Sequence, residues 1–320
     1  MAPTQDYSSA IADRAGKTAL SVRNVLFATD FSPTSEAAMP YATAICRRFH
    51  GTLHMAHVLS DVGLLMMGGG VDYVSMGTIY EDAHNEAKEK LDQIAANFGT
   101  MPHRNYVRHG AVWKNLATIV EENEIDLIVV GTHGRTGLGK LLLGSVAEDI
   151  LRHATCPVLT VGPNVCGRAK LPAFRSQSRE LAPIELEIRQ ILYATNFGSS
   201  ATRVAQEAIW LAEEFHSRIT LMHVMENYAK LGGKPEPIEE GLQKLRNLIP
   251  KRADLQYIPE VLLEFGHPPE RILKAAEERE ADMIILGARP PLEVGATHLP
   301  SAAHHVIAHA HCPVLTIREQ

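Results

Sequence analysis

The sequence predicts an α/β fold of the doubly wound kind, a parallel five-stranded sheet with helices on both faces, present twice in tandem. Three observations carry this: a long pattern that occurs twice, short β-rich runs alternating with amphipathic helical stretches, and apolar runs too continuous for a half-exposed strand. NVLFATDFS at 24–32 returns as QILYATNFG at 190–198, an offset of 166. FHGTLHMAHV at 49–58 returns as FHSRITLMHV at 215–224 at the same offset. IDLIVVG at 125–131 returns as ADMIILG at 281–287, and CPVLT at 156–160 recurs unchanged at 312–316, both offset by 156. The first copy therefore carries ten extra residues between Val58 and Gly110. A repeat of this length is a duplicated domain, not a solenoid unit.

Within the first copy the pattern reads as a strand at 24–29, a helix at 35–49, a strand at 53–59 and a helix at 78–98. It continues with a strand at 103–108, a helix at 113–123, a strand at 126–130, a helix at 145–154 and a strand at 157–161. DLIVV and its counterpart DMIIL are apolar throughout, as expected of central strands buried on both faces. Residues 163–187 hold Pro163, Pro172 and Pro183 among basic and Ser residues, the composition of a linker. The expected organisation is an N-terminal arm at 1–21, a first domain at 22–162, this linker, and a second domain at 188–320.

Composition narrows the function classes. A chain of 320 residues, 45% hydrophobic, is long enough for two ordinary domains. A net charge of −6 and a pI near 6.2 argue against a nucleic-acid surface, and 6% aromatic content leaves few stacking platforms. Cys46, Cys156, Cys166 and Cys312 form no C-x-x-C pair, so neither a disulfide framework nor a zinc site is expected. Cys156 and Cys312, each before a proline and an apolar run, read as buried free thiols. No signal-peptide core and no run of the roughly 20 apolar residues of a spanning helix stand out, so a cytoplasmic protein is expected, with no membrane partner.

The stretch VVGTHGRTGLGKLLLGSVAEDI, 129–150, carries the candidate chemistry. In an open parallel sheet, ligands bind beyond the carboxyl ends of the strands, where strand order reverses. GRTGLGK at 134–140 begins like a phosphate-binding P-loop, but Leu141 stands where the pattern needs a Mg²⁺-holding hydroxyl. The helix would then open on LLLG, and no acidic residue ends a following strand, so the P-loop reading fails. A different frame fits better. Gly131 and Gly134 frame the turn after the strand, where a missing side chain lets the backbone approach a ligand. Gly144 and Ser145 open the next helix, and Ser145 with Glu148 forms an S-x-x-E capping-box pattern. A helix N-terminus offers amide donors and a positive dipole end to a phosphate. The amides of Ser145 and Val146, with Lys140 or Arg135 as charge partners, would supply that site. After the first strand, Asp30 is placed either to accept hydrogen bonds from a ribose or an adenine amino group, or to cap the following helix.

With repeat and glycine spacing together, the chain resembles a tandem universal stress protein over about 290 residues. The family's signature of G-x-x-G, nine residues, then G-S/T is matched by Gly131 to Gly134, the span 135–143, and Gly144-Ser145. The resemblance implies a Rossmann-like sheet of the adenine nucleotide alpha hydrolase kind. It implies that Asp30 and the Val58 backbone contact base or ribose, with small Ala28 two residues before the aspartate. Gly131 and Gly134 would border the ribose and first phosphate, and Gly144, Ser145 and Val146 the phosphate chain. The implied ligand is ATP or another adenine nucleotide, with or without Mg²⁺, and the implied role a stress-response regulatory module. A slow ATPase or phosphotransferase is the alternative, although no obvious general base presents itself, since Glu148 and Asp149 lie inside the helix. The absence of an S-G-G-x-D-S loop argues against the pyrophosphatase-type ATP enzymes that share this sheet.

The second copy departs from the signature. Asn196 replaces Asp30, Gly287-Ala-Arg-Pro290 replaces the first glycine pair, and Pro300-Ser301 replaces Gly144-Ser145. Proline removes N–H donors and fixes φ, so this copy is expected to be a scaffold or partner-binding half, with Ser301 still capping a helix. Family members commonly dimerise through the last strand, an apolar edge that needs pairing. In a tandem chain the two copies would pair with each other there, leaving a homodimer and an unidentified protein partner open. His305 and His309, at i, i+4 spacing, suggest a metal pair, but no carboxylate or Cys completes a shell, and surface or interface histidines are the favoured reading. His57 and His223 repeat at a strand end and are read as making a structural hydrogen bond rather than as catalytic. The Met- and Gly-rich stretch 62–80 is read as packing against the sister domain, with a lid over the base as the alternative.

Overall fold

A computed structural model describes residues 22–60, 73–132, 143–165, 186–226, 236–288 and 301–318. The first half runs β1 (Asn24–Ala28), α1 (Pro33–Phe49), β2 (Thr52–Leu59), α2 (Tyr73–Ala95) and β3 (His103–His109). It continues through α3 (Val112–Glu122), β4 (Leu127–Gly131), α4 (Ser145–His153) and β5 (Val158–Val161). The second half repeats the order: β6 (Gln190–Ala194), α5 (Ala201–Phe215), β7 (Arg218–Met225), α6 (Glu236–Asn247) and β8 (Glu260–Phe265). It closes with α7 (Pro268–Glu278), β9 (Met283–Ala288), α8 (Ser301–His309) and β10 (Val314–Arg318). The Met- and Gly-rich stretch falls largely outside the described residues, but α2 starts at Tyr73, earlier than its periodicity suggests.

Each half is a parallel five-stranded sheet, ordered β3-β2-β1-β4-β5 and β8-β7-β6-β9-β10. The two run on as one ten-stranded sheet, because β5 and β10 pair antiparallel. Leu159 faces Leu315, flanked by Thr160 against Val314 and Val158 against Thr316. These are equivalent positions of the two copies, so the contact is self-complementary about a pseudo-twofold axis. Alternate residues of each strand feed two cores. Val25 and Phe27 pack beneath α1 and α2, whose counterparts α5 and α6 join the same cluster. Leu26 and Ala28 point to the other face, covered by α3, α4, α7 and α8. This is the period-two alternation of a sheet buried on both sides.

The duplication extends to backbone strain. Among the described residues, the non-glycine positions with positive φ come in three pairs: Phe31 and Phe197, His50 and His216, and Glu124 and Glu280. His50 and His216 end α1 and α5 in the left-handed conformation that satisfies the last carbonyls. Cys46, Cys156 and Cys312 are free thiols, and burial pushes each up to about 12. Cys312 and Cys46 are buried, whereas Cys156 is only half-buried. Among the described residues no helix is long and apolar enough to cross a membrane.

Candidate functional site

Strand order reverses between β1 and β4, which opens a crevice beyond their carboxyl ends. Ala28 pairs with Val130, so Asp30 and Thr132 each stand two residues past that pair, on opposite walls. Val58 borders the same edge one strand away, on β2, where it pairs with Arg108.

The first wall is the turn Thr29 to Ser32. Phe31 adopts φ 59°, a costly conformation for a bulky side chain. Local bonds hold it there: the Phe31 N–H donates to Thr29 Oγ1 at 2.9 Å, and the Ser32 N–H donates to Asp30 Oδ1 at 3.0 Å. From β2, the His57 Nδ1–H donates to the Thr29 carbonyl at 2.8 Å, and its ring lies 4.5 Å from that of Phe31. Lys90 of α2 places its ammonium 5.4 Å from the Phe31 ring centre. The cap of α1 is Ser32, whose Oγ accepts the Ser35 N–H at 3.3 Å, with Pro33 opening the helix. Asp30 is therefore not the helix cap. Its carboxylate closes an Asx turn at the lip of the crevice.

The second wall starts at Gly131. A Cβ there would lie 2.7 Å from the Thr34 carbonyl oxygen and 2.9 Å from the Ser35 nitrogen. The sequence reading gave this glycine to ligand approach. The close neighbour in the structure is the first turn of α1, which the missing side chain admits against β4. Thr132 follows, fully buried, its N–H on the Val161 carbonyl at 3.0 Å. Its own carbonyl accepts the Gly144 N–H at 2.7 Å, which ties the start of α4 to the end of β4. Gly134, Arg135 and Lys140 lie outside the described residues.

Helix α4 begins differently from its sequence signature. Gly144 is the N-cap, at φ −65° and ψ 147°, and no side chain caps the helix. Ser145 is the first helical residue and is exposed, while Glu148 accepts from Arg152 Nη2 at 2.7 Å rather than reaching back to the cap. The capping-box expectation is thus overturned, because the i, i+4 partner Arg152 holds the carboxylate. The dihedrals of Gly144 are ordinary extended backbone that any residue adopts, so conformation does not demand glycine. What glycine contributes is the absence of a side chain over the first-turn amides of Ser145 and Val146. The Gly144 N–H itself is spent on Thr132. The result is an uncapped helix N-terminus, facing an aspartate-bearing turn across a strand switch point. One wall thus presents backbone N–H groups at a helix start, the other a carboxylate.

Thr132, Phe31 and Ser32 were not singled out from the sequence. For Phe31 the signal was the near-identity of ATDFS and ATNFG in the two copies; Ser32, replaced by Gly198, and Thr132, in GTHG, lacked that signal. The histidines resolve as structural. His309 donates its Nδ1–H to the His305 carbonyl at 2.8 Å, as His153 does to Asp149 at 2.9 Å. Among the described residues no cluster of three or more His, Cys, Asp or Glu side chains is arranged to hold a metal.

Two polar features lie away from the crevice. A cavity of about 900 Å³ opens at the amino ends of β6 and β7, lined by Arg47, Arg48, Arg189, Arg218 and Arg279 with acidic residues between them. Arg48 pairs with Glu214 at 3.7 Å, Arg279 with Glu260 at 2.7 Å, and Arg218 lies over Tyr257. An ion-paired groove at the amino edge of a parallel sheet is not where such folds bind ligands. On that same edge, His54 is buried in a network, Nδ1 at 3.1 Å from the Tyr106 hydroxyl and Nε2 at 3.2 Å from Asn24 Oδ1. Burial, with nearby Arg104, lowers its pKa from 6.5 to about 4.

Comparison with known proteins accords with this architecture. A universal stress protein of Methanocaldococcus jannaschii is 29% identical over 139 residues, 43% of this chain and 81% of that protein. Universal stress protein A homolog 1 of Coxiella burnetii is 33% identical over 139 residues, 43% of this chain and 95% of that protein. Among solved structures, a universal stress protein from Archaeoglobus fulgidus aligns over 93% of this chain and 99% of its own, with a TM-score of 0.63 at 20% identity. A Pseudomonas aeruginosa protein described as functionally unknown aligns over 93% of both chains, with a TM-score of 0.58 at 15% identity. At those identities the two structures speak for the fold. The family model for universal stress proteins matches residues 21–162 and again 187–318. The chain belongs to the universal stress protein family, with two such domains in tandem.

Proposed function

We propose that the chain binds an adenine nucleotide, ATP foremost, in its first half and acts as a nucleotide-dependent regulatory module of the stress response. One observation carries the reading: α4 opens on Gly144 with no side-chain cap, beyond the carboxyl ends of β1 and β4 and facing the Asp30 turn. In this reading the amides of Ser145 and Val146 and the Ser145 hydroxyl hold phosphate. Asp30 and the Val58 backbone take the ribose and base, with small Ala28 leaving them room. Gly134, Arg135 and Lys140 would complete the phosphate side. Any Mg²⁺ would arrive on the phosphates, an ion that is usually held by one or two carboxylates plus substrate oxygens. Glu148, held by Arg152, is poorly placed to act as a general base, which favours a binding module over an ATPase. The second half serves as a scaffold or partner-docking half paired to the first, and the setting assumed is the cytoplasm.

Isothermal titration of the purified chain with ATP and GTP, alongside steady-state phosphate release, tests this. Wild type should bind ATP with release near background, and Asp30→Asn should weaken ATP about tenfold, the worth of one charge-assisted hydrogen bond. Failure of wild type to bind any adenine nucleotide sinks the reading. Sustained turnover moves it to the enzymatic alternative.

A further inference from the structure

The last helices of the two halves are each finished by the other half. Asn164, just past β5, donates its side-chain amide to the His309 carbonyl at the end of α8, at 3.2 Å. Arg318, the last residue of β10, does the same for α4: Nη1 reaches the Ala154 carbonyl at 2.7 Å and Nη2 the Arg152 carbonyl. Those carbonyls belong to the C-terminal turn, whose acceptors have no partner within the helix. Arg318 is itself anchored in the second half. Its carbonyl accepts from Arg203, which pairs at 3.2 Å with Glu207, a side chain only 6% exposed. A close approach nearby fixes the geometry further: a Cβ on Gly162 would stand 3.2 Å from the Ile307 carbonyl of α8.

Only one of these two helices opens on an uncapped glycine. Helix α4 has nine residues, about 13 Å of axis, so its two ends are rigidly related. Its N-terminus is tied by the Gly144 N–H to Thr132, and its C-terminus by Arg318. We infer that Arg318 of the second half is a positioning residue for the phosphate-binding amides of the first, so that the second half is part of the first half's site. This rests on the nucleotide reading above. A guanidinium at the C-terminal end also complements the helix dipole that presents positive potential at Gly144. Because coupling is reciprocal, a phosphate bound at the N-terminus of α4 would tighten the junction between the halves.

The test compares Arg318→Met, which keeps the apolar stem, with Asn164→Ala, which removes the mirror contact on α8. ATP and adenosine are titrated into each variant, and amide hydrogen exchange is followed along α4 and α8. Arg318→Met should weaken ATP about five- to tenfold, leave adenosine within about twofold, and speed exchange in α4. Asn164→Ala should leave both affinities unchanged and speed exchange in α8. Arg318→Lys, able to reach one carbonyl, should recover part of the ATP affinity. Unchanged ATP affinity in Arg318→Met, or equal weakening of ATP and adenosine, overturns the inference. If wild type binds neither ligand, the nucleotide reading itself has failed; faster exchange confined to α4 then still supports the mechanical link, and unaltered exchange overturns it.

Discussion

In the first half Thr29, Asp30 and Phe31 leave β1, and in the second Thr195, Asn196 and Phe197 leave β6 in the same conformation. Phe31 and Phe197 have φ of 59° and 57°, and each preceding side chain accepts an N–H two residues on, at 3.0 Å from Asp30 and 2.8 Å from Asn196. His57 and His223 donate to the Thr29 and Thr195 carbonyls at 2.8 and 2.7 Å and sit 4.5 and 4.3 Å from the phenyl rings. The turn is therefore architecture common to both halves, and it forms equally well around an amide. The turn itself therefore asks only for a side-chain oxygen at this position, which carboxylate and amide supply alike. The halves part company at the other wall. Gly144 opens α4, whereas the sequence places Pro300 before α8, beyond the described residues.

The largest effect that would sharpen this contrast comes from Gly144→Asp. Extended dihedrals accept the change, and aspartate is a better N-cap than glycine, so folding stability should hold or rise by a few tenths of a kcal/mol. The new carboxylate would occupy the first-turn amides and repel phosphate, costing at least about 100-fold in ATP affinity by titration. An unchanged affinity would falsify the placement of phosphate at α4.

Next comes pH, where the halves differ at their amino edges. His54 of the first half is replaced by Thr220, which donates to Glu260 at 2.8 Å, and Arg279 holds that carboxyl below its usual range. The folded-state pKa of His54 is depressed from 6.5 to about 4. Below 6.5 the unfolded chain takes up a proton that the folded one refuses, so stability is complete above that pH and falls as the pH drops toward 4. At roughly 1.4 kcal/mol per unit the loss approaches about 3 kcal/mol. Urea unfolding at pH 7.5, 5.5 and 4.5 should show it, and His54→Gln should flatten the profile. Parallel slopes for the two proteins would remove His54 from the account.

The smallest effect concerns Gly131, the last residue of β4, and Gly287, the next to last of β9. Gly131→Ala drives a methyl to 2.7 Å from backbone and should cost about 1–3 kcal/mol in urea unfolding. Gly287→Ala, at an exposed position, should stay within about 0.5 kcal/mol. Equal costs would mean that both halves pack their first helix against the strand with the same tightness.

Much of the fold was legible because it rests on periodicity. Runs such as LIVVG and MIILG alternate into two cores whatever surrounds them, and repetition at offsets of 166 and 156 marks the duplication. The crevice was legible in outline through glycine spacing and Asp30. The roles inside it were less so. The capping box failed because Glu148 had a helical partner four residues on. Asp30 was left between cap and ligand because Ser32, a residue of the same capping class, stood two positions away. The packing reason for Gly131 was not legible because the neighbour that needs its space, Thr34, is distant in sequence.

The sequence by itself determined the duplication, the order of strands and helices, and the loss of glycines from the second signature. These follow from side-chain pattern and backbone propensity, which act over a few residues. Only the tertiary structure decided that Leu159 meets Leu315, that Thr132 tethers Gly144, and that Arg318 closes a helix more than 160 positions before it. Such contacts join groups that no local pattern relates, and they arise because buried carbonyls and edge strands must find partners wherever the chain brings one.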